Sequence, residues 1–304
     1  MATSIDSKAT RVPWRQVAGF AVLAYAISWT VWASVMPDAW DALKAGRTPS
    51  TYTVGGLGIL GMFGPAVAAL IMRVAVTKEG VRGSLGARRD WGQYAIAIVA
   101  PMILVTAAIA ISHVSGLADF HAGSKPIWLL YLVLLAIDTP ISTVATLGEE
   151  YGWRGYLLPR LLPLGEVKAS LVVAAIWAPW HLPLLLVGLN YGGKNPFAVL
   201  GLMLALAAAL SLLLTRLFVM AGGSVLVTAV AHASFNAFGD RLSNADHLVA
   251  NPFLGGVGGV VGLAVMAITA LAIYGHRRVR RPHARSAGAG AGGSVHVATA
   301  RTPA

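Results

Sequence analysis

The amino-acid sequence predicts an all-α membrane protein, a polytopic bundle of about eight transmembrane helices. The chain of 304 residues is 57% hydrophobic and only 12% charged, with a mean hydropathy of +0.70, whereas about one quarter of an average soluble domain is charged. Its apolar residues fall into long runs, and its basic residues are concentrated in alternate connections between those runs. Each of these observations is typical of a chain that crosses a bilayer several times.

Eight runs of apolar residues are separated by charged residues, glycine or proline. A helix needs roughly 20 mostly apolar residues to cross the hydrocarbon core of a membrane. The predicted spans are residues 17–36, 54–72, 94–113, 127–147, 169–189, 197–219, 225–238 and 253–274. The seventh is the shortest. The first is kept as a span because no small-residue cleavage site followed by a soluble domain comes after it.

The distribution of lysine and arginine predicts the orientation of the bundle. Eight spans place both termini on one side of the membrane, and that side collects eighteen of the basic residues. The other side collects only five, which are Lys44, Arg47, Lys125, Lys194 and Arg241. Because basic residues accumulate in short cytoplasmic loops, both termini are expected in the cytoplasm. The net charge of +11 then reflects contact with membrane lipids, and no nucleic-acid partner is expected.

The chain is expected to contain one domain and a tail. Residues 1–282 form the transmembrane helical domain, with a motif-bearing core at about 130–240, and residues 283–304 are expected to be a disordered cytoplasmic tail because they are rich in glycine, alanine and serine. The sequence contains no cysteine. Disulfides, thiolate metal sites and a cysteine nucleophile are therefore excluded.

The first polar cluster, GEEYGWRGY at residues 148–156, directly follows the fourth apolar run. Glu149 and Glu150 are adjacent, so on a helix their side chains point about 100° apart and have different neighbours. Glu150 precedes Arg154 by four residues, a spacing that favours an ion pair. Glu149 then lies on another face, where desolvation favours a general base. Ordinary interfacial charges at a helix end are the alternative explanation.

The second and third clusters lie inside the fifth and seventh spans. His181 is flanked by Pro179 and Pro183, which remove backbone donors and kink a helix, so that space opens around the imidazole. A histidine that merely bonds a freed carbonyl is the alternative. His232 and Asn236 are four residues apart and share one helix face, from which both can donate to an oxyanion. Interhelical hydrogen bonding is the alternative for this pair.

Together the three motifs resemble those of the CPBP (CAAX protease and bacteriocin-processing, or Abi) family of intramembrane metalloproteases. The matching residues are Glu149-Glu150-x-x-x-Arg154, Trp177-x-x-x-His181 and His232-x-x-x-Asn236. The order, residue types and helix placement of all three agree with the family. Position 177 is Trp where many members have Phe, and no second histidine follows His181, unlike in the eukaryotic CAAX endopeptidases. The substrate class of that eukaryotic branch is therefore not transferred.

The resemblance implies a CAAX-type intramembrane endopeptidase that cleaves a membrane-associated or lipidated peptide or protein. It implies that Glu149 and His181 activate a water molecule, that His232 and Asn236 stabilise the oxyanion, and that Glu150 and Arg154 shape the site. Glu149, His181 and His232 are candidate ligands for a zinc ion, although a Glu/His pair also activates water without metal. We expect an integral protein of the bacterial plasma membrane, with its active site open to the cytoplasm.

Two other readings of the sequence remain open. The first is a non-catalytic bacteriocin-immunity or partner-binding protein on the same scaffold, which would not need Glu149, His181, His232 and Asn236 all intact. The second is a secondary transporter whose ionisable groups relay protons. Transporters of that kind usually contain two related halves, whereas the polar residues of this chain are confined to spans four, five and seven.

Overall fold

The computed structural model describes residues 11–34, 36–45, 58–86, 90–121, 126–188, 191, 194–243 and 248–279. The expected tail at residues 283–304 lies outside this set. Helices dominate the described chain, and the all-α prediction is confirmed apart from one two-stranded ribbon. The ribbon pairs β1 (Ala118–Phe120) with β2 (Leu248–Ala250) in antiparallel register, Asp119 lying opposite Val249.

The helices form eight segments along the chain. They are α1 (Trp14–Ala33), which is followed by the short α2 (Met36–Lys44); α3 (Gly58–Met62) with α4 (Gly64–Ile71) and a π-turn (Met72–Val76); α5 (Trp91–Val114); α6 (Ile127–Val133) and α7 (Thr139–Gly152), joined and followed by π-turns (Leu134–Asp138 and Trp153–Leu157), then α8 (Leu158–Leu161) with a 3₁₀ turn (Leu162–Leu164); α9 (Glu166–Trp180) with α10 (Leu182–Leu186); α11 (Pro196–Met220); α12 (Val225–Leu242); and α13 (Val260–Val279).

Several helix starts are explained by capping residues in the sequence. The Asp90 carboxylate accepts from the backbone N–H of Gln93 at the start of α5. Asn195 caps α11 in the same way, and Pro196 occupies its first turn, where a missing N–H costs nothing. The Ser224 hydroxyl accepts from Val227 N–H at the start of α12. Apolar runs therefore become helices with defined beginnings.

Successive segments alternate in direction through the bundle. Ser28 and Trp32 of α1 donate to the carbonyls of Gly61 and Gly58, respectively, so α1 and α3 run antiparallel. Tyr25 and Trp29 donate to the carbonyls of Ile176 and Trp180, respectively, so α9 runs parallel to α1. Asp138 just before α7 pairs with Arg241 near the end of α12, whereas Gly155 after α7 lies against Val225 at the start of α12, so these two helices run antiparallel. The start of α1 and the end of α13 consequently lie at the same end of the molecule.

We call that end of the bundle the basic end; it contains Arg11 and the connections around Lys78, Gly165 and Gly223. The opposite end contains the β1–β2 ribbon, and we call it the ribbon end. Arg15, Lys168 and Arg216 also lie toward the basic end. The eight helical segments alternate in direction, as was assumed when the lysines and arginines were assigned to the two sides of the membrane.

Five helical stretches within the described ranges are long and apolar enough to cross a membrane. They are Trp14–Ala33, Gly58–Val76, Trp91–Val114, Ile127–Leu164 and Pro196–Met220. The fifth predicted span is shorter than expected because its helix is interrupted at His181, and α13 contains a shorter apolar stretch, Val260–His276. The count of eight spans and the orientation of the termini stay predictions.

Candidate active site

Glu149, Glu150 and Arg154 lie in the interior of the long helical stretch Ile127–Leu164. The fourth span was predicted to end at residue 147, which would place Glu149 at the end of a helix. The structure corrects this, because the helix continues through a π-turn at Trp153–Leu157 and beyond. Its residues 148 and 152 are glycines that pack against Phe63 and Pro65, where a Cβ would collide. The small residues let α7 lie directly against α4.

A fully buried network joins Glu150 to two other helices. Arg154 Nη1 donates to Glu150 Oε1 at 2.6 Å, so the predicted ion pair is present. His232 Nδ1 lies 3.0 Å from the same Glu150 oxygen, and Arg154 Nη2 donates to Ser211 Oγ at 3.2 Å. Because a buried charge is costly unless it is paired, these contacts fix α7, α11 and α12 relative to one another.

Glu149 faces different neighbours from Glu150. The indole N–H of Trp177 donates to Glu149 Oε2 at 2.8 Å, and the carboxylate is only 2% exposed. The Trp177 ring also lies against the Arg154 guanidinium, 5.0 Å from its centre, and edge-on to the His232 ring. Trp177 therefore contacts members of all three predicted clusters, and it orients the carboxylate of Glu149.

His181 occupies the break between α9 and α10. Helix α9 ends at Trp180, and Pro183 lies in the first turn of α10. The prolines interrupt the helix, as the sequence predicts. His181 Nδ1 lies 3.1 Å from the Trp177 carbonyl oxygen, which can only accept. In the neutral ring Nδ1 is therefore the donor, and Nε2 is left as an acceptor.

The same reasoning applies to His232 on α12. Its Nδ1 lies against the Glu150 carboxylate, which accepts and does not donate when ionised. The neutral imidazole therefore has its proton on Nδ1 and a lone pair on Nε2. Nε2 becomes a donor only when the ring is protonated.

A cavity of about 760 Å³ brings the predicted clusters together. Glu149, His181, His232 and Asn236 all line it, although they come from three separate stretches of the chain. Glu150 and Arg154 do not line the cavity; they are buried beside it and hold His232. An apolar wall faces these polar groups and is formed by Met203, Leu206, Ala207, Leu210 and Met266.

The cavity opens at the ribbon end. Its lining includes the exposed residues Asp240 and Ser243 at the end of α12, together with Tyr191 and Pro252 in the neighbouring connections. The Tyr191 hydroxyl donates to the Gly258 carbonyl at 2.9 Å, and burial raises the pKa of Tyr191 to about 12. Among described residues, none that lines the cavity lies in the connections of the basic end.

This position conflicts with one pair of predictions. The charge distribution predicts that the basic end lies in the cytoplasm, and the active site was also predicted to open to the cytoplasm. The structure puts the opening at the opposite end, so the N-in orientation and the cytoplasmic opening cannot both be correct. The reason is the length of the fourth helical stretch. Because it continues to Leu164, Glu149 lies on the ribbon side of Arg154 and Arg160 and not at the basic end.

The candidate zinc ligands fit a metal only in part. With Nδ1 bonded to a backbone carbonyl or a carboxylate, His181 and His232 each present Nε2 as zinc ligands do. Within the described ranges, however, no three His, Cys, Asp or Glu side chains are close enough together to hold a metal ion. Zinc binding by these residues stays a prediction.

Three features of the site were not predicted from the sequence. Trp177 belongs to the second motif, but its indole donor to Glu149 was not foreseen. Ser211 was missed because it is a small hydroxyl inside the mostly apolar helix α11. Asp240 could have been found, since it follows His232 and Asn236 at intervals of four residues and so lies on the same helix face.

The match to a known family covers this part of the chain. Residues 125–238 match the family model described as type II CAAX prenyl endopeptidase Rce1-like. The resemblance predicted from the three motifs is confirmed for these residues, which are similar to an Rce1-like domain. No curated protein matches the chain significantly. The long apolar helices indicate an integral membrane protein, and the matched family is one of CAAX-type endopeptidases.

Proposed function

We propose that the chain is an intramembrane endopeptidase that hydrolyses a peptide bond of a membrane-associated or lipidated peptide or protein. The observation that supports this most strongly is the common cavity lined by Glu149, His181, His232 and Asn236. A water-activating carboxylate, an imidazole acceptor and an amide donor beside one cavity are what amide hydrolysis requires. The Rce1-like match of residues 125–238 supports the same class of reaction.

In the proposed first step Glu149 acts as the general base. A water molecule donates one hydrogen bond to the Glu149 carboxylate and another to Nε2 of His181. Glu149 takes a proton from this water as its oxygen attacks the carbonyl carbon of the substrate. The Trp177 indole occupies Oε2 of Glu149 and leaves Oε1 for the water. Its hydrogen bond also holds the carboxylate in one orientation.

In the proposed second step the carbonyl oxygen becomes an oxyanion and the C–N bond then breaks. The side-chain amide of Asn236 donates to the oxyanion, and protonated His232 donates from Nε2. The Glu150 carboxylate accepts from Nδ1 of the same ring and holds it in position. When the C–N bond breaks, the proton held by Glu149 passes to the departing amine. One product ends in a carboxylic acid and the other in an amine.

The substrate class follows from the opposite wall of the cavity. Met203, Leu206, Leu210 and Met266 offer an apolar surface on which an extended apolar segment or an acyl chain can lie. Methionine adapts to irregular apolar shapes, so this wall accepts more than one side chain. A peptide that contacts the membrane could enter with its apolar side on this wall and its carbonyl near Glu149.

The decisive experiment compares Glu149→Gln with Asp41→Asn in vesicles that contain the purified protein. Asp41 is an exposed carboxylate on α2 that does not line the cavity, so its loss should leave hydrolysis unchanged. Hydrolysis of an internally quenched apolar peptide is expected to fall at least about 100-fold in Glu149→Gln, the usual effect of losing a general base. If a folded Glu149→Gln protein hydrolysed the peptide as fast as the parent protein does, the result would contradict the proposal and favour the non-catalytic, partner-binding function.

A further inference from the structure

We propose that the cavity opens on the extracytoplasmic face of the membrane, so that the substrate is a peptide segment presented from outside the cytoplasm. The chemistry of this substrate rests on the proposed function, whereas the direction of access rests on two separate observations. One is the end of the bundle at which the cavity opens. The other is the distribution of basic residues between the two ends.

The alternating direction of the helices fixes the first observation. Helix α12 starts at the basic end and ends at Leu242, and the cavity follows it from His232 to Ser243. Helix α13 runs back from the ribbon end, and the lining includes Val257 and Gly258 just before it begins. His232 lies ten residues before the end of α12, so the site is about 15 Å below that end.

The charges of the two ends differ in sign. Within the described residues, the basic end carries Arg11, Arg15, Arg73, Lys78, Arg82, Arg160, Lys168 and Arg216, together with the acidic residues Glu79, Asp90 and Glu166. The described part of the ribbon end has three basic residues and five aspartates, which are Lys44, Lys194 and Arg241 with Asp38, Asp41, Asp119, Asp138 and Asp240. Because basic loops are retained in the cytoplasm, the basic end is cytoplasmic and the opening is not.

The cavity lining also limits which peptides can bind. No lysine or arginine of the described chain lines it, and its titratable groups are Glu149, His181, His232, Tyr191 and Asp240. A free terminal carboxylate would therefore find no lysine or arginine beside the reacting bond. The site favours an internal bond of an exported or membrane-anchored chain, with neutral or basic residues near the opening. Transport of that chain across the membrane must precede cleavage.

The absence of cysteine from the sequence makes the direction of access directly measurable. Ser243→Cys introduces a thiol at the opening, and Lys168→Cys introduces one at the basic end; both positions are exposed. Intact bacterial cells that produce the full chain are treated with a membrane-impermeant maleimide. Ser243→Cys is expected to be labelled and Lys168→Cys to be protected until the membrane is permeabilised. Inside-out vesicles should give the reverse pattern.

Labelling of Lys168→Cys in intact cells, alone or together with Ser243→Cys, would overturn the proposal, and so would protection of both. Enzyme assays separate this result from failure of the proposed function. An impermeant quenched peptide is added to spheroplasts and, in parallel, to detergent-solubilised protein. Hydrolysis in both supports external access. Hydrolysis only after solubilisation refutes external access but retains the peptidase, and no hydrolysis in either refutes the peptidase.

Discussion

Two polar regions at different depths of the bundle differ in whether their polar side chains have hydrogen-bond partners. At the basic end, Arg73 bonds the Gly155 carbonyl at 2.6 Å and Glu79 at 3.2 Å. Arg160 there bonds the same Glu79 as well as Gln16. On the cavity face of α12, Asn236 has no hydrogen-bond partner among the described residues, although it lies beside a buried, paired His232.

The difference distinguishes polar side chains that stabilise the packing of helices from polar side chains that are available to bind a substrate. Charges that pair with one another away from the cavity hold helices in place and are not reached by a ligand. A polar group that lines a cavity without a partner can bind a water molecule or a substrate oxygen. Glu150 and Arg154 belong to the first kind although they adjoin the site. Glu149, His181, His232 and Asn236 each have at least one atom left for the second.

The largest effect is expected when the buried ion pair Glu150–Arg154 is compared with the ion pair Glu79–Arg160 at the basic end. Arg154→Met leaves the Glu150 carboxylate buried without its cation, and we expect a loss of about 3–5 kcal/mol in the free energy of unfolding. Arg160→Met removes a partner from Glu79, which is 41% exposed, and should cost about 1 kcal/mol or less. Denaturant titration in detergent measures both.

A double variant serves as the control for Arg154→Met. Adding Glu150→Gln removes the unpaired charge, so part of the lost stability should return. Equal losses in Arg154→Met and Arg160→Met would show that the two pairs do not differ as the structure indicates.

The next effect concerns the unpartnered amide. Asn236→Ala should lower kcat about 100- to 1,000-fold because one oxyanion donor is lost, while the melting temperature stays close to that of the parent. Ser234→Ala is the matched control, since the Ser234 hydroxyl donates within its own helix to the Val230 carbonyl. If Asn236→Ala melted much earlier and retained its kcat, Asn236 would belong with the structural residues.

A third variant tests the close packing that positions Glu149. Gly152→Ala would bring a Cβ to 2.4 Å from Pro65 Cβ, and relief of that collision should cost about 1–3 kcal/mol. Gly201→Ala on α11 is the control, because nothing lies within 4 Å of its added Cβ. That substitution should be neutral or stabilising by up to about 1 kcal/mol. Thermal unfolding of the two variants measures this difference, and equal melting temperatures would contradict the close packing of Gly152 against Pro65.

The smallest effect is expected at Asp240. It lies eight residues from His232 on the same helix face, about 12 Å away, which an extended peptide covers in about four residues. Asp240→Asn should raise KM about fivefold for a peptide with lysine four residues from the cleaved bond, as expected for one exposed ion pair. The alanine peptide should show no change, and Asp38→Asn should affect neither.

Much of the site was predictable because helical spacing is local. Four-residue intervals put Glu150 beside Arg154 and His232 on the same face as Asn236. The prolines around His181 predicted the helix break that is present. The indole donor of Trp177 and the hydroxyl of Ser211 were not predictable, since each meets its partner through packing of helices far apart in the chain.

Hydropathy and the 3.6-residue helical period depend only on neighbouring residues, so the order of amino acids is enough to predict an apolar, helical chain and the side chains that share a helix face. Long-range packing, by contrast, determines that the helical stretch continues past Glu149 and that the cavity opens at the ribbon end. Those features depend on how glycines at 148 and 152 pack on α4 and on the contact between Glu150 and His232 of α12. Contacts of that kind join residues that no local pattern connects.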